Sequence, residues 1–110
     1  MVITFKNKKI SALVNNDRKL LKEMGKKRAD KIRQRLDQLQ AAETLEDLRH
    51  VAGNYHELTG DRKGQWACDL DQPYRLIFIP HENPVPVNTS GQYIWLEIRG
   101  VEIIEITDYH

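Results

Sequence analysis

The hydrophobic spacing of this chain changes period once, near Gly53, and that change limits the folds open to it. Before it, apolar residues recur at helical intervals. After it, they alternate or run together as in strands. Lys26 to Gln40 is the clearest helix, with Ala29, Ile32, Leu36 and Leu39 on a face suited to burial against a sheet. Lys6 to Met24 also reads as helical. Asn15-Asn16-Asp17 breaks it, with Asn16 or Asp17 as an N-cap, and Gly25 loosens the chain ahead of the longer helix. Thr44-Leu45-Glu46-Asp47 resembles a capped start for one further turn. Val2 to Phe5 is a short β-prone run that precedes all the helices.

Beyond Gly53, Tyr55 to Leu58 is a short strand, and Thr59-Gly60-Asp61-Arg62-Lys63-Gly64 carries the residues of a hairpin connection. Gln65 to Leu70 alternates, with Trp66, Cys68 and Leu70 on one side. Asp71-Gln72-Pro73 is a turn, and Tyr74 to Ile79 is a strongly apolar strand. Pro80 to Gln92 is a long proline-rich loop. Tyr93 to Arg99 is either a strand or an irregular excursion, and Val101 to Thr107 closes the sheet. One strand, then helices, then three or four strands predicts an α+β fold, with the N-terminal strand and helices on one face of an antiparallel sheet.

A chain of 110 residues is expected to form a single domain over 1–110. No apolar run is long enough to cross a bilayer, no signal-peptide pattern opens the chain, and lone Cys68 excludes an internal disulfide. A cytoplasmic protein without a membrane partner is expected. The net charge of +1 hides a polarity: residues 1–35 hold 12 Lys and Arg against 3 Asp and Glu, and residues 36–110 hold 5 against 13. A basic N-terminal third suits a polyanion such as nucleic acid. It equally suits a solvated helix. Lys27, Lys31 and Arg35, at i, i+4 and i+8, form the basic stripe in question.

Several residues can carry proton-transfer or phosphate chemistry. Asp108-Tyr109-His110 places a carboxylate, a phenol and an imidazole at the end of a strand. In extended geometry Asp108 and His110 share one face and Tyr109 takes the other. Imidazole changes charge near neutral pH, so His110 and His56 suit the two proton transfers of RNA cleavage, although His56 beside Tyr55 also reads as an ordinary half-buried histidine. Arg75 lies inside the apolar run Tyr74–Phe78, where a charge needs a partner or a function, and the sheet's open face is its natural place. Arg62 and Lys63 form a basic turn. His56, Asp108 and His110 are also legitimate metal ligands, but they lack a short His-x-x-x-His pairing, and no cofactor is expected.

His56-Glu57-Leu58-Thr59-Gly60-Asp61-Arg62-Lys63-Gly64-Gln65-Trp66, then Tyr74-Arg75-Leu76-Ile77-Phe78, then Asp108-Tyr109-His110 closely resemble the HigB toxins, the plasmid-maintenance killer branch of the RelE/ParE superfamily. The resemblance covers roughly residues 26–80 and 101–110. It implies a RelE-like α+β toxin domain of a type II toxin–antitoxin pair that enters the ribosomal A site and cuts the mRNA there without a metal. The implied partners are the ribosome, mRNA and a HigA-type helix-turn-helix antitoxin, with operator DNA bound only through the antitoxin complex. Residue by residue, it assigns His56, Arg75, Asp108, Tyr109 and His110 to catalysis, and Arg62 and Lys63 to phosphate or ribosomal RNA. A ParE-like gyrase inhibitor on the same fold is the alternative, and it would need no proton-transfer pair. The chain departs from shorter members between Pro80 and Gly100, where the insertion is either a neutral rim loop or an element that alters antitoxin docking or ribosome access.

Overall fold

The computed structural model describes residues 1–108 of the chain. Its first strand, β1 (Val2–Phe5), leads into α1 (Lys8–Val14), α2 (Asp17–Met24) and α3 (Lys26–Ala41). Asn7 caps α1 by accepting from the Ile10 N–H at 2.9 Å, and Asn16 caps α2 by accepting from the Lys19 N–H at 3.0 Å. These caps satisfy N–H groups that the first turn of any helix leaves without an intrahelical partner. Gly25, at φ +79°, turns the chain between α2 and α3, a conformation that glycine adopts without steric cost.

A 3-10 turn (Leu45–His50) follows, then β2 (His56–Glu57), β3 (Trp66–Asp69), β4 (Tyr74–Pro80) and β5 (Gly100–Asp108). The sheet order is β1-β5-β4-β3-β2. All neighbours are antiparallel except β1, which runs parallel to β5 with Val2 opposite Gly100 and Phe5 opposite Ile103. The sheet is therefore mixed rather than purely antiparallel. The helices between β1 and β2 carry the chain across to the far edge, leaving the place beside β1 to β5.

The helices cover one side. There Ile32 and Leu39 of α3 join Leu20, Leu45, Leu48, Trp66, Leu76, Phe78 and Ile103 in the main core. A β-bulge shifts the β4–β5 register between Ile77 and Phe78: Glu105 faces Ile77, yet Ile103 faces Phe78. Ile103 and Ile106, three apart, would point to opposite sides of a regular strand. The extra residue lets both meet the main core and turns Ile104 to the other side, where it packs on Leu58, Ala67 and Ile77.

The segment from 81 to 99 is not a rim loop. Trp95, in a 3-10 turn (Trp95–Glu97), is 6% exposed, and Ile98 is fully buried in the main core. Trp95 meets Trp66 edge to face at 5.5 Å, and the Ile98 carbonyl accepts from the Leu45 N–H at 3.0 Å. This insertion therefore completes the helical side of the core.

Candidate functional site

The side of the sheet away from the helices carries the polar groups that sequence reasoning singled out, and cross-strand register says which of them share it. Residues directly opposite on paired strands point to the same side. His56 faces Ala67, Ala67 faces Ile77, and Ile77 faces Glu105; one step along, Asp69 faces Arg75, which faces Thr107. His56, Asp69, Arg75, Glu105 and Thr107 thus ring the small apolar patch of Leu58, Ala67, Ile77 and Ile104. His56 and Arg75 sit two strands and two residues apart, about 12 Å between backbones. That separation leaves room for one phosphodiester between their side chains.

A chain of contacts ties the two together. Asn54 is the one non-glycine residue at positive φ (56°) among the described residues, in a left-handed conformation that Asn tolerates better than most. Its carbonyl meets His56 Nδ1 at 2.6 Å, and its side-chain amide donates to Asp69 Oδ2 at 3.3 Å. Asp69 Oδ1 in turn lies 3.5 Å from Arg75 Nε. A carbonyl oxygen only accepts, so Nδ1 of His56 carries a proton. In the neutral ring, Nε2 is then the basic nitrogen. Asn54 and Asp69 did not emerge from the sequence as site residues. The Gly53-Asn54 pair is a visible turn signal, but nothing in it says which way the carbonyl points.

At the other end of the face, the Arg62 guanidinium donates to Glu105 Oε1 at 3.0 Å and to Gln65 Oε1 at 2.9 Å. The hairpin thereby holds a cation beside the apolar patch. Lys63, next in sequence, is exposed at the hairpin's end.

Asp108 falls elsewhere. It is opposite Tyr74, whose ring packs with the main core and lies under Arg28 of α3, 3.4 Å from guanidinium to centroid. By register Asp108 is on the helical side, across the sheet from His56 and Arg75. Tyr109 and His110 lie outside the described residues. Among the described residues, no group of three or more His, Cys, Asp or Glu is gathered to hold a metal ion.

The basic stripe on α3 needs a correction. Lys27 is exposed and Lys31 half-buried, but Arg35 is only 6% exposed. Its Nε donates to the Asp69 carbonyl at 2.7 Å, and its Nη1 donates to Gln38 Oε1 at 3.2 Å and the Ala52 carbonyl at 3.3 Å. Arg35 lies between Ile32 and Leu39 on the buried arc of the helix, so it braces the 52–53 turn and the end of β3 and offers nothing to a nucleic acid. Beside it, burial raises the Cys68 thiol from its ordinary value near 9 to about 12, against the pull of the Arg35 cation. Burial, reinforced by Cys68, likewise pushes the Tyr55 phenol well up. Its hydroxyl donates to Gln38 Oε1 at 2.8 Å. Neither group is a nucleophile at neutral pH.

A mixed sheet with helices on one side, and on the other a polar face holding a histidine and arginines, is the build of a small RelE-like toxin domain. Residues 3–93 match the family model of the RelE-like toxin of the type II toxin–antitoxin system HigB. The chain belongs to this HigB-like toxin family, so an antitoxin is the partner its kind implies. The match ends before β5 and takes in His56, Arg62, Lys63 and Arg75. No curated protein matches the chain. No helix among the described residues is long and apolar enough to cross a membrane.

Proposed function

We propose that this toxin is a ribosome-dependent endoribonuclease that cuts mRNA in the A site without a metal cofactor, using the open face of its sheet. The observation that carries the reading is the hydrogen bond from His56 Nδ1 to the Asn54 carbonyl. It fixes an imidazole, basic nitrogen free, on the same face as Arg75. RNA cleavage removes a proton from the 2′-hydroxyl, which attacks the phosphorus as the bond to the 5′-oxygen breaks, and that oxygen gains a proton. His56 carries one of these protons at Nε2. Arg75 stabilises the crowded phosphate with its planar fork, and Asp69 sets the angle of that fork. Asp108, Tyr109 and His110 are the family's terminal set. In this proposal His110 carries the second proton, Tyr109 positions the nucleotide, and Asp108, which lies across the sheet from His56, orients the His110 imidazole and not that of His56. Arg62, Lys63, Lys27 and Lys31 supply positive charge toward mRNA and ribosomal RNA. A HigA-like helix-turn-helix antitoxin is the cytoplasmic partner, and operator DNA is reached through that complex.

The test is induction in bacterial cells, with growth followed and message ends mapped. Wild type should arrest growth and leave cuts in translated messages. His56→Ala and Arg75→Ala should each lower cleavage by about 10²–10⁴-fold while the circular dichroism spectrum stays native. Uncut messages with inhibited gyrase would refute the reading, as would full toxicity of His56→Ala.

A further inference from the structure

A second cleft opens around the corner from the open face, between the hairpin at 60–64 and the inserted segment. Its volume is about 740 Å³. The insertion turns tightly here. The Asn88 N–H donates to the Gln92 carbonyl at 2.9 Å, and the Asn88 side-chain oxygen accepts from the N–H groups of Ser90 (2.9 Å) and Gln92 (3.0 Å). Val87 bridges Tyr93. This stiff turn presents the Tyr93 ring to solvent, 36% exposed. Beneath it lies Trp95, ring centroids 4.9 Å apart, and beneath that Trp66 of β3 at 5.5 Å. The Tyr93 ring is thus the outermost of three aromatic side chains in tilted and edge-to-face contact, footed in the main core.

The charges lining the cleft are largely spent on one another. Arg49 pairs with Glu57 at 2.5 Å and with Glu46 at 2.9 Å, and Glu57 also accepts from the Trp95 indole N–H. Lys63 is exposed and, among the described residues, has no ion-pair partner. A partly exposed tyrosine ring on a rigid footing and one uncommitted cation suit an unpaired nucleotide, while the Asn88 side-chain amide donates to Gln92 Oε1 at 3.1 Å and holds the turn closed. The base stacks on the ring, and a flanking phosphate meets the ammonium. The ion-paired charges of the cleft neutralise one another, and Val87, 52% exposed, adds an apolar edge beside Tyr93. Arg62 faces the open side through Glu105, and Lys63, the next residue, faces the cleft. Lys63 also borders the neighbouring groove formed with Ile79, Pro80 and His81, so the hairpin sets one cation toward the open face and the next toward its outer end.

We infer that the cleft under Tyr93 is a second RNA subsite, which binds one unpaired nucleotide flanking the cut by stacking its base on Tyr93 and meeting its phosphate with Lys63. The inference rests on the reading that RNA is the substrate.

The experiment titrates ¹⁵N-labelled protein carrying His56→Ala, so that nothing is cut, with a six-nucleotide oligoadenylate. The Trp95 indole N–H resonance is the reporter. It should shift saturably. Adding Tyr93→Ala should weaken binding roughly tenfold, and Tyr93→Phe, which keeps the ring, should stay within about twofold. Unchanged affinity in Tyr93→Ala would overturn the inference, as would a Trp95 resonance that stays put while the open face responds. Normal oligoadenylate binding by Tyr93→Ala together with lost antitoxin binding would make the cleft a protein interface and also overturn it. If wild type leaves messages uncut while Trp95 still responds, the cleavage reading fails and the cleft stands only as an unpaired-nucleotide site without a cut beside it; cut messages with a silent Trp95 overturn the subsite and leave the cleavage reading intact.

Discussion

Replacing Arg35 with alanine separates two roles for the same cation. If Arg35 were part of an RNA-binding stripe, the variant would fold normally and bind RNA less well. The structure demands the opposite. The substitution removes three donor contacts, to the Asp69 carbonyl, Gln38 Oε1 and the Ala52 carbonyl. Two acceptors keep a partner: Gln38 Nε2 still donates to the Ala52 carbonyl at 2.9 Å, and the Tyr55 hydroxyl to Gln38 Oε1. The Asp69 carbonyl loses a contact that costs about 1–3 kcal/mol if nothing replaces it. The buried aliphatic stem adds about 0.8 kcal/mol per methylene, and relief from desolvating a guanidinium offsets part of the total. The net loss is about 3 kcal/mol, a large share of the roughly 5–15 kcal/mol available to a domain. It lowers Tm by roughly 12–24 °C at about 4–8 °C per kcal/mol. Urea and thermal unfolding followed by circular dichroism measure both quantities. Lys27→Ala and Lys31→Ala, from the exposed and half-buried positions, should stay within about 0.5 kcal/mol of wild type. An Arg35→Ala protein as stable as these two, but impaired in cleavage, would refute the bracing role.

Three further outcomes follow. Gly53→Ala should cost more than about 1 kcal/mol, because Gly53 sits at φ +132° and an added Cβ would lie 2.9 Å from Arg35 Cζ; the same unfolding curves check it. Trp95→Ala should cost about 3–5 kcal/mol, since the indole is buried in the main core, and a stability unchanged by the substitution would return the insertion to the rim. Cys68, raised from near 9 to about 12 by burial, favours the folded state fully below pH 9. That share is lost as pH climbs from 9 toward 12, because the unfolded chain releases the thiol proton first. The urea midpoint should therefore fall more steeply between pH 8 and 11 for wild type than for Cys68→Ala, and parallel decline in both would contradict the assignment.

Local chemistry was legible in the sequence. The break at Asn15-Asn16-Asp17 became an Asn16 cap, and the alternation in Gln65–Leu70 became a strand with Trp66 and Cys68 turned inward. The apolar run around Arg75 did place a charge on the open face. What escaped sequence reasoning depended on distant partners. Arg35 occupies a buried position of α3, but the carbonyls that satisfy it come from residues 17 and 34 places further on. A cation at i+8 from Lys27 reads as solvated until those acceptors are known. The insertion reads as a loop because prolines and turn residues dominate it, and two core side chains, Trp95 and Ile98, are too few to set a period. The facing of Asp108 turned on the bulge that resets the β5 register, and strand alternation alone does not reveal a single extra residue. Of the candidate site, His56, Arg75 and Arg62 could be named from sequence. The Asn54–Asp69 link between the first two could not, because it depends on one left-handed turn.

The parallel pairing of β1 with β5 bears on when the molecule becomes dangerous to its maker. Val2 finds its partner at Gly100, so the place between β1 and β4 stays unfilled until residues 100–108 have been synthesised. Contacts so distant along the chain form late and slowly. A nascent polypeptide emerging from the ribosome thus holds β2, β3 and β4 without the Glu105 anchor for Arg62. Assembly of the open face waits on the same segment, which gives the cell an interval in which the polypeptide exists but this face of the sheet does not.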